Sequence, residues 1–84
     1  MQKHTHAVLC RLLDECFIMR SPYVTVPLTV EERKIAFEIL NELILEGYVC
    51  GFKPIMDAEL TCDLTSTALD HIDIDRQMVV YPPK

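Results

Sequence analysis

Glycine is scarce. Gly47 and Gly51 are the only two in 84 residues, and tryptophan is absent. A phosphate-cradling loop needs several glycines close together, so neither a P-loop nor a dinucleotide fingerprint can be built. The cysteines Cys10, Cys16, Cys50 and Cys62 include no C-x-x-C pair, which removes the usual spacing of a zinc knuckle. Positive charge is also short: 8 Lys and Arg stand against 13 Asp and Glu, for a net charge of −5. That balance opposes broad electrostatic binding to nucleic acid or anionic lipid. No apolar run approaches the ~18 residues of a membrane span, and the opening MQKHTH does not read as a signal peptide. A cytoplasmic chain with reduced, buried thiols is therefore expected, with Cys10 and Cys16 on apolar positions.

Half of the residues are hydrophobic, enough for one small core in a single domain over residues 1–84. The stretch Leu28 to Gly47, LTVEERKIAFEILNELILEG, organises the rest. Thr29 and Glu32 form a T-x-x-E capping box, and Glu31 and Glu32 place negative charge at the positive end of the helix dipole. Gly47 suits the left-handed position that ends a helix. The spacing predicts one continuous helix of about 17 residues, roughly 26 Å long. At about 100° per residue, Ala36, Phe37, Ile39, Leu40, Leu43 and Ile44 share an inward arc. Glu31, Lys34, Glu38, Asn41, Glu42, Leu45 and Glu46 face outward, with Ile35 at the border. Glu38–Glu42 and Glu42–Glu46 are like-charge pairs that each cost a few tenths of a kcal/mol, roughly.

Before this helix, residues 5 to 19 read as an amphipathic helix. Val8, Leu9, Leu12, Leu13, Cys16, Phe17 and Met19 lie on one side; Arg11, Asp14, Glu15 and Ile18 lie on the other. Tyr23 to Val26, between Pro22 and Pro27, is a short edge strand. After the central helix, Tyr48 to Lys53 and Leu60 to Leu64 alternate as a β-hairpin. Placing Phe52 opposite Leu60, Cys50 opposite Cys62 and Tyr48 opposite Leu64 gathers six side chains on one apolar face. The connection from Pro54 to Glu59 is irregular. Thr65 or Ser66 caps a short helix reaching Ile72, with Ala68, Leu69 and Ile72 inward. Met78 to Tyr81 is strand-like and opens an extended tail over 78–84. It is expected beside Tyr23–Val26 or across to a second subunit.

This order resembles a winged-helix domain: helix, short strand, long helix, β-hairpin wing, short helix, C-terminal strand-like tail. The fold expected is therefore α+β, a winged-helix-like single domain. The runs NELILEGYV and ELTCDLTSTALDHI carry the likeness. A helix ending in Glu46-Gly47 is followed by two strands, and the second runs into the pair Leu64-Thr65. Ala68 stands where the family prefers Gly, His71 where Tyr is common, and Ile72 matches the closing Leu. Within that class the chain looks most like the small YjcQ-like proteins of bacterial chromosomes and prophages. The resemblance implies DNA binding through the long helix and the wing, with Arg33, Lys34, Asn41 and Lys53 as the contacts. A dimer could add Arg11 and Arg20 to a basic patch. The residues depart from that pattern, since residues 21–28 leave no room for a short helix before the recognition helix. The exposed side chains of the long helix are mainly glutamates, where DNA reading wants Arg, Lys, Asn or Gln.

Catalysis has no foothold. His4, His6 and Cys10 do not share one helical face, and His71 among Asp70, Asp73 and Asp75 reads as a polar helix end. Those aspartates lack the glycine and closing glutamate of a calcium loop. No catalytic residue, metal site or cofactor is assigned. The function expected is a protein-interaction or self-association module, with a DNA-binding regulator as the alternative. The candidate interaction face comprises Glu31, Glu38, Glu42, Leu45, Glu46, Ile55 and Met56. The partner is another protein or a second copy in a homodimer. DNA is disfavoured by charge, and a membrane is not expected.

Overall fold

A computed structural model describes residues 1–53 and 56–84. The elements run α1 (Lys3–Met19), β1 (Tyr23–Pro27), α2 (Val30–Lys34), α3 (Ala36–Leu45), β2 (Val49–Phe52), β3 (Glu59–Leu64), α4 (Ser66–Leu69), β4 (Ile72–Asp73) and β5 (Met78–Val79). The class is α+β. A three-stranded antiparallel sheet of order β1-β3-β2 carries the helices, and β4 pairs with β5 in a separate two-stranded ribbon.

The core forms where α1, α3 and one sheet face meet. Val8, Leu9, Leu12, Leu13 and Cys16 of α1 join Ala36, Ile39, Leu40 and Leu43 of α3. Val24 and Val26 of β1 and Leu60, Cys62 and Leu64 of β3 complete it from the sheet. The pairs Val24–Cys62 and Val26–Leu60 point inward together, and on the other face the Thr25 and Thr61 hydroxyls lie 2.8 Å apart. Alternation along these strands thus matches the pleat. In α1, Met19 is exposed, and Thr5 and His6 are buried in its first turns.

The central helix is not continuous. It breaks at Ile35, whose φ of −121° and ψ of 25° leave the helical region. The Ile35 N–H bonds to the Glu32 carbonyl, a tight i→i−3 closure, and the Ile39 N–H restarts the ladder on the Ile35 carbonyl. No proline or glycine marks the place. The break supplies the short helix that residues 21–28 could not, but within the capped segment rather than ahead of it. The capping box itself is present, with the Thr29 N–H 2.8 Å from Glu32 and the Glu32 N–H 3.2 Å from the Thr29 hydroxyl. At the far end Gly47 has φ of +83°, its N–H bonds to Ile44, and the Tyr48 N–H bonds to Leu43. That pattern is a Schellman motif, and a side chain at Gly47 would be strained.

The hairpin register differs from the one expected. Val49 pairs with Leu64, Gly51 with Asp63 and Phe52 with Cys62, with the ladder interrupted between Val49 and Gly51. Cys50 and Cys62 are therefore not cross-strand partners. Tyr48 is committed to the helix-ending motif, so Val49 is the first strand residue and points inward, and the irregularity turns Cys50 outward. The tail is likewise corrected: β5 pairs with β4, not with β1, within the same chain. The short helix α4 ends at Leu69, capped by Thr65, and Ile72 belongs to β4. Leu69 is correspondingly half-exposed.

Candidate interaction surface

Four of the ten α3 residues face the core, and Phe37, Ile44 and Leu45 are large apolar side chains left exposed on the remainder. The inward arc is narrower than the pattern suggested. Phe37 is 79% exposed and Ile44 is 42% exposed. Both were expected inside. Ala36, Ile39, Leu40 and Leu43 seat the helix, and at about 100° per residue Phe37 and Ile44 fall together on the flank of that arc, toward β2. There they line a groove with Leu40 and Phe52.

Glu38, Glu42 and Leu45 are on α3 and Glu46 is its C-cap, and Glu38, Leu45 and Glu46 are exposed. They form one contiguous stripe. Glu42 is half-buried, because the Gln2 N–H at the start of α1 donates to its Oε1 at 2.9 Å. Its carboxyl is held below the ordinary value by the Thr5 hydroxyl and then by the Gln2 amide. Thr5 Oγ1, though buried, closes no hydrogen bond of regular geometry. Glu31 lies on α2, 3.9 Å from Lys34, and belongs to a different part of the surface. Met56 is exposed, in the turn between β2 and β3, and Ile55 lies outside the described residues.

Arg33 and Lys34 share α2, which Arg11 reaches through Glu32, while Lys53 and Arg20 lie elsewhere. Lys34 sits beside Glu31, and the Lys53 ammonium lies 5.5 Å from the Tyr23 ring centroid on the sheet. Arg20 stacks 5.1 Å from the Phe17 ring and donates to Gln77 at 3.0 Å. Arg11 donates to the Pro27 carbonyl at 2.6 Å and to the buried Glu32 carboxylate. Arg33 is exposed on α2, and Asn41 is the one uncharged polar side chain on the exposed ridge of α3.

The Arg11–Glu32 pair was not foreseen. Burial pushes the Glu32 carboxyl up, but hydrogen bonds from Arg11 and Thr29 and the charge of Arg11 outweigh it and hold the group below 4.5. A signal existed: Glu32 precedes Ile39 and Leu43 by about two and three helical turns, which places it on the buried stripe.

The thiols and histidines have structural surroundings. Burial pushes the Cys62 thiol up to about 12, and it raises Cys10 and Cys16 as well. Thiolates are disfavoured at all three. Cys50 is exposed, contrary to expectation, with its thiol 3.6 Å from the Asp63 carbonyl. His6 Nε2 lies 2.7 Å from the Pro82 carbonyl and His71 Nδ1 lies 2.8 Å from that of Val80. The Tyr81 hydroxyl donates to Asp14. The His6 and Asp14 contacts strap the tail over α1, while His71 ties it to the turn before β4. Among the described residues no three His, Cys, Asp or Glu side chains gather as a metal site, and no helix is long and apolar enough to cross a membrane.

Comparison with known proteins returns no match to a family model, a curated protein or a solved structure.

Proposed function

We propose that this chain is a small non-enzymatic winged-helix module that binds another protein through α3 and the neighbouring strand β2. The element order through β3, with the sheet order β1-β3-β2, supports the winged-helix reading. Here α2 and α3 stand as the paired helices and α3 occupies the recognition position. Kinship with the YjcQ-like proteins belongs to the same proposal and rests on Glu46-Gly47 and Leu64-Thr65. A cytoplasmic location goes with it.

One observation carries the functional reading. The outer side of α3 and its C-cap presents Phe37, Ile44 and Leu45 together with Glu38, the half-buried Glu42 and Glu46. Carboxylates repel phosphates, and large exposed apolar side chains offer nothing to a duplex backbone. The α3 segment itself carries no Lys or Arg, Lys34 is paired with Glu31, and the Lys53 ammonium lies over the Tyr23 ring. The same combination of apolar side chains and one sign of charge suits a protein surface.

Site-specific photo-crosslinking in the cell of origin tests this. A photo-reactive residue at Leu45 is expected to capture a protein, and one at Ile74 is not. In parallel, duplex DNA is titrated at ~50 and ~200 mM salt. Affinity in the micromolar range, about 10⁻⁶ M, that collapses between the two salts would revive the DNA-binding regulator and overturn the protein-binding reading.

A further inference from the structure

Two shallow grooves flank the exposed ridge of α3, and their chemistry differs. On the β2 side a groove of about 450 Å³ is lined by Phe37, Glu38, Leu40, Asn41, Ile44 and Phe52. On the side of the α1 start a groove of about 350 Å³ carries the carboxylates of Glu38, Glu42 and Glu46 beside Leu45. Glu38 and Asn41 border both, so a single ligand lying along α3 reaches the two grooves at once. Phe37 and Leu45, 79% and 77% exposed, stand at opposite ends of that ridge.

The shape of this surface restricts what covers it. The backbone of α3 is hydrogen-bonded within the helix, so a partner lying there meets side chains and must satisfy its own peptide groups. A helix does so; an extended segment needs a sheet edge. The nearest edge, β2, has 4 residues and an interrupted ladder at Cys50. Phe37 and Ile44 lie about 10 Å apart along the axis, the span of two helical turns, which matches anchors at i, i+3 or i+4, and i+7. Charge sets the flank. A second copy in a two-fold arrangement would lay Glu38, Glu42 and Glu46 against their own equivalents.

The geometry points to a basic amphipathic helix of a partner protein as the occupant. Its apolar stripe seats between Phe37, Ile44 and Phe52, and its Lys or Arg flank meets Glu38, Glu42 and Glu46. This deepens the protein-binding reading above and rests on it.

The test uses a fluorescein-labelled synthetic helix of about five turns built from Leu, Ala and Lys, with leucines in one stripe and lysines on one flank. Its twin carries Glu in place of Lys. Fluorescence anisotropy is expected to saturate at micromolar concentrations of the full chain, about 10⁻⁶ M, for the Lys peptide and not for the Glu peptide. Phe37→Ser is expected to weaken binding about tenfold or more. The double variant Glu38→Lys, Glu46→Lys is expected to lose the Lys peptide and gain the Glu peptide. All three positions are exposed, and circular dichroism checks that the variants fold. Amide shifts in NMR spectra should fall on α3 and β2. Equal binding of the two peptides overturns the inference, as does no binding of either at about 1 mM. So does a concentration-dependent homodimer that shifts the Phe37 and Ile44 signals. A protein captured at Leu45 alongside any of these results leaves the module standing without this partner chemistry. Failure of both experiments removes both.

Discussion

The carboxylate of Glu32 is buried between the Thr29 amide and the Arg11 guanidinium, closing the cap of α2 and tying α2 to α1 in one group. Its pKa is depressed in the fold. An acid whose folded pKa lies below its unfolded value contributes stability above the unfolded pKa and loses it as pH falls through the folded one. This contribution is therefore complete above about pH 4.5 and declines below it. Arg11→Met leaves a buried carboxylate without its cation, and about 2 kcal/mol of stability at pH 7 should be lost. With Arg11 gone only the Thr29 bonds still oppose burial, so the stability that Glu32 contributes above its unfolded pKa shrinks. Urea denaturation of the two proteins at several pH values should show a gap that is widest near neutrality and narrows in acid. Equal gaps at pH 7 and pH 4 would show that Glu32 gains nothing from Arg11.

At the level of the element, the turn joining β2 and β3 is closed by Asp57 and Ala58, with φ of 52° and 63°. Met56 and Glu59 bridge across it, and the Leu28 N–H donates to the Ala58 carbonyl at 2.8 Å. Two successive residues at positive φ make the primed turn that favours Asp-Gly or Asn-Gly. Alanine there is strained by its Cβ, so Ala58→Gly should stabilise the protein by about 1 kcal/mol, read as a higher urea midpoint with unchanged slope. Elements whose ends carry chemistry were legible in the sequence: the capping box at Thr29, the left-handed Gly47, the proline-bounded β1 and the Thr65 cap. The misplaced features have no marker residue. Ile35 breaks a helix with neither proline nor glycine. The hairpin register hinged on counting Tyr48 as a strand residue, when the end of α3 uses it. The Asp57-Ala58 turn lacks the glycine that would have announced it.

At the scale of the whole molecule, periodicity found the core but overfilled it. Val8, Leu9, Leu12, Leu13, Ile39, Leu40 and Leu43 are buried as the spacing implies, whereas Phe37, Ile44 and Met19 are exposed. Apolar side chains at helical spacing are read as core by default, so the charged half of the candidate surface was legible and its apolar half was not. The tail is a third case. Its strap over α1, through His6 and Tyr81, depends on contacts between residues far apart in the chain that no local pattern encodes. The hydrogen bond from the Gln2 amide to Glu42 is another such contact, and it links the first turn of α1 to the surface of α3. The Gln2 side chain makes no capping bond of its own, so this borrowed carboxylate answers the positive end of the α1 dipole. A lysine arriving on α3 competes for the same oxygen. Occupancy on one helix would then be felt as fraying on the other: amide exchange at Thr5 and His6 should quicken when the Lys peptide is bound, while exchange within α3 slows. Unchanged exchange at Thr5 and His6 in the bound state would mean that Glu42 serves α1 only. Quickened exchange would make the first turn of α1 a built-in reporter, one that transmits the presence of a ligand to residues the ligand does not cover.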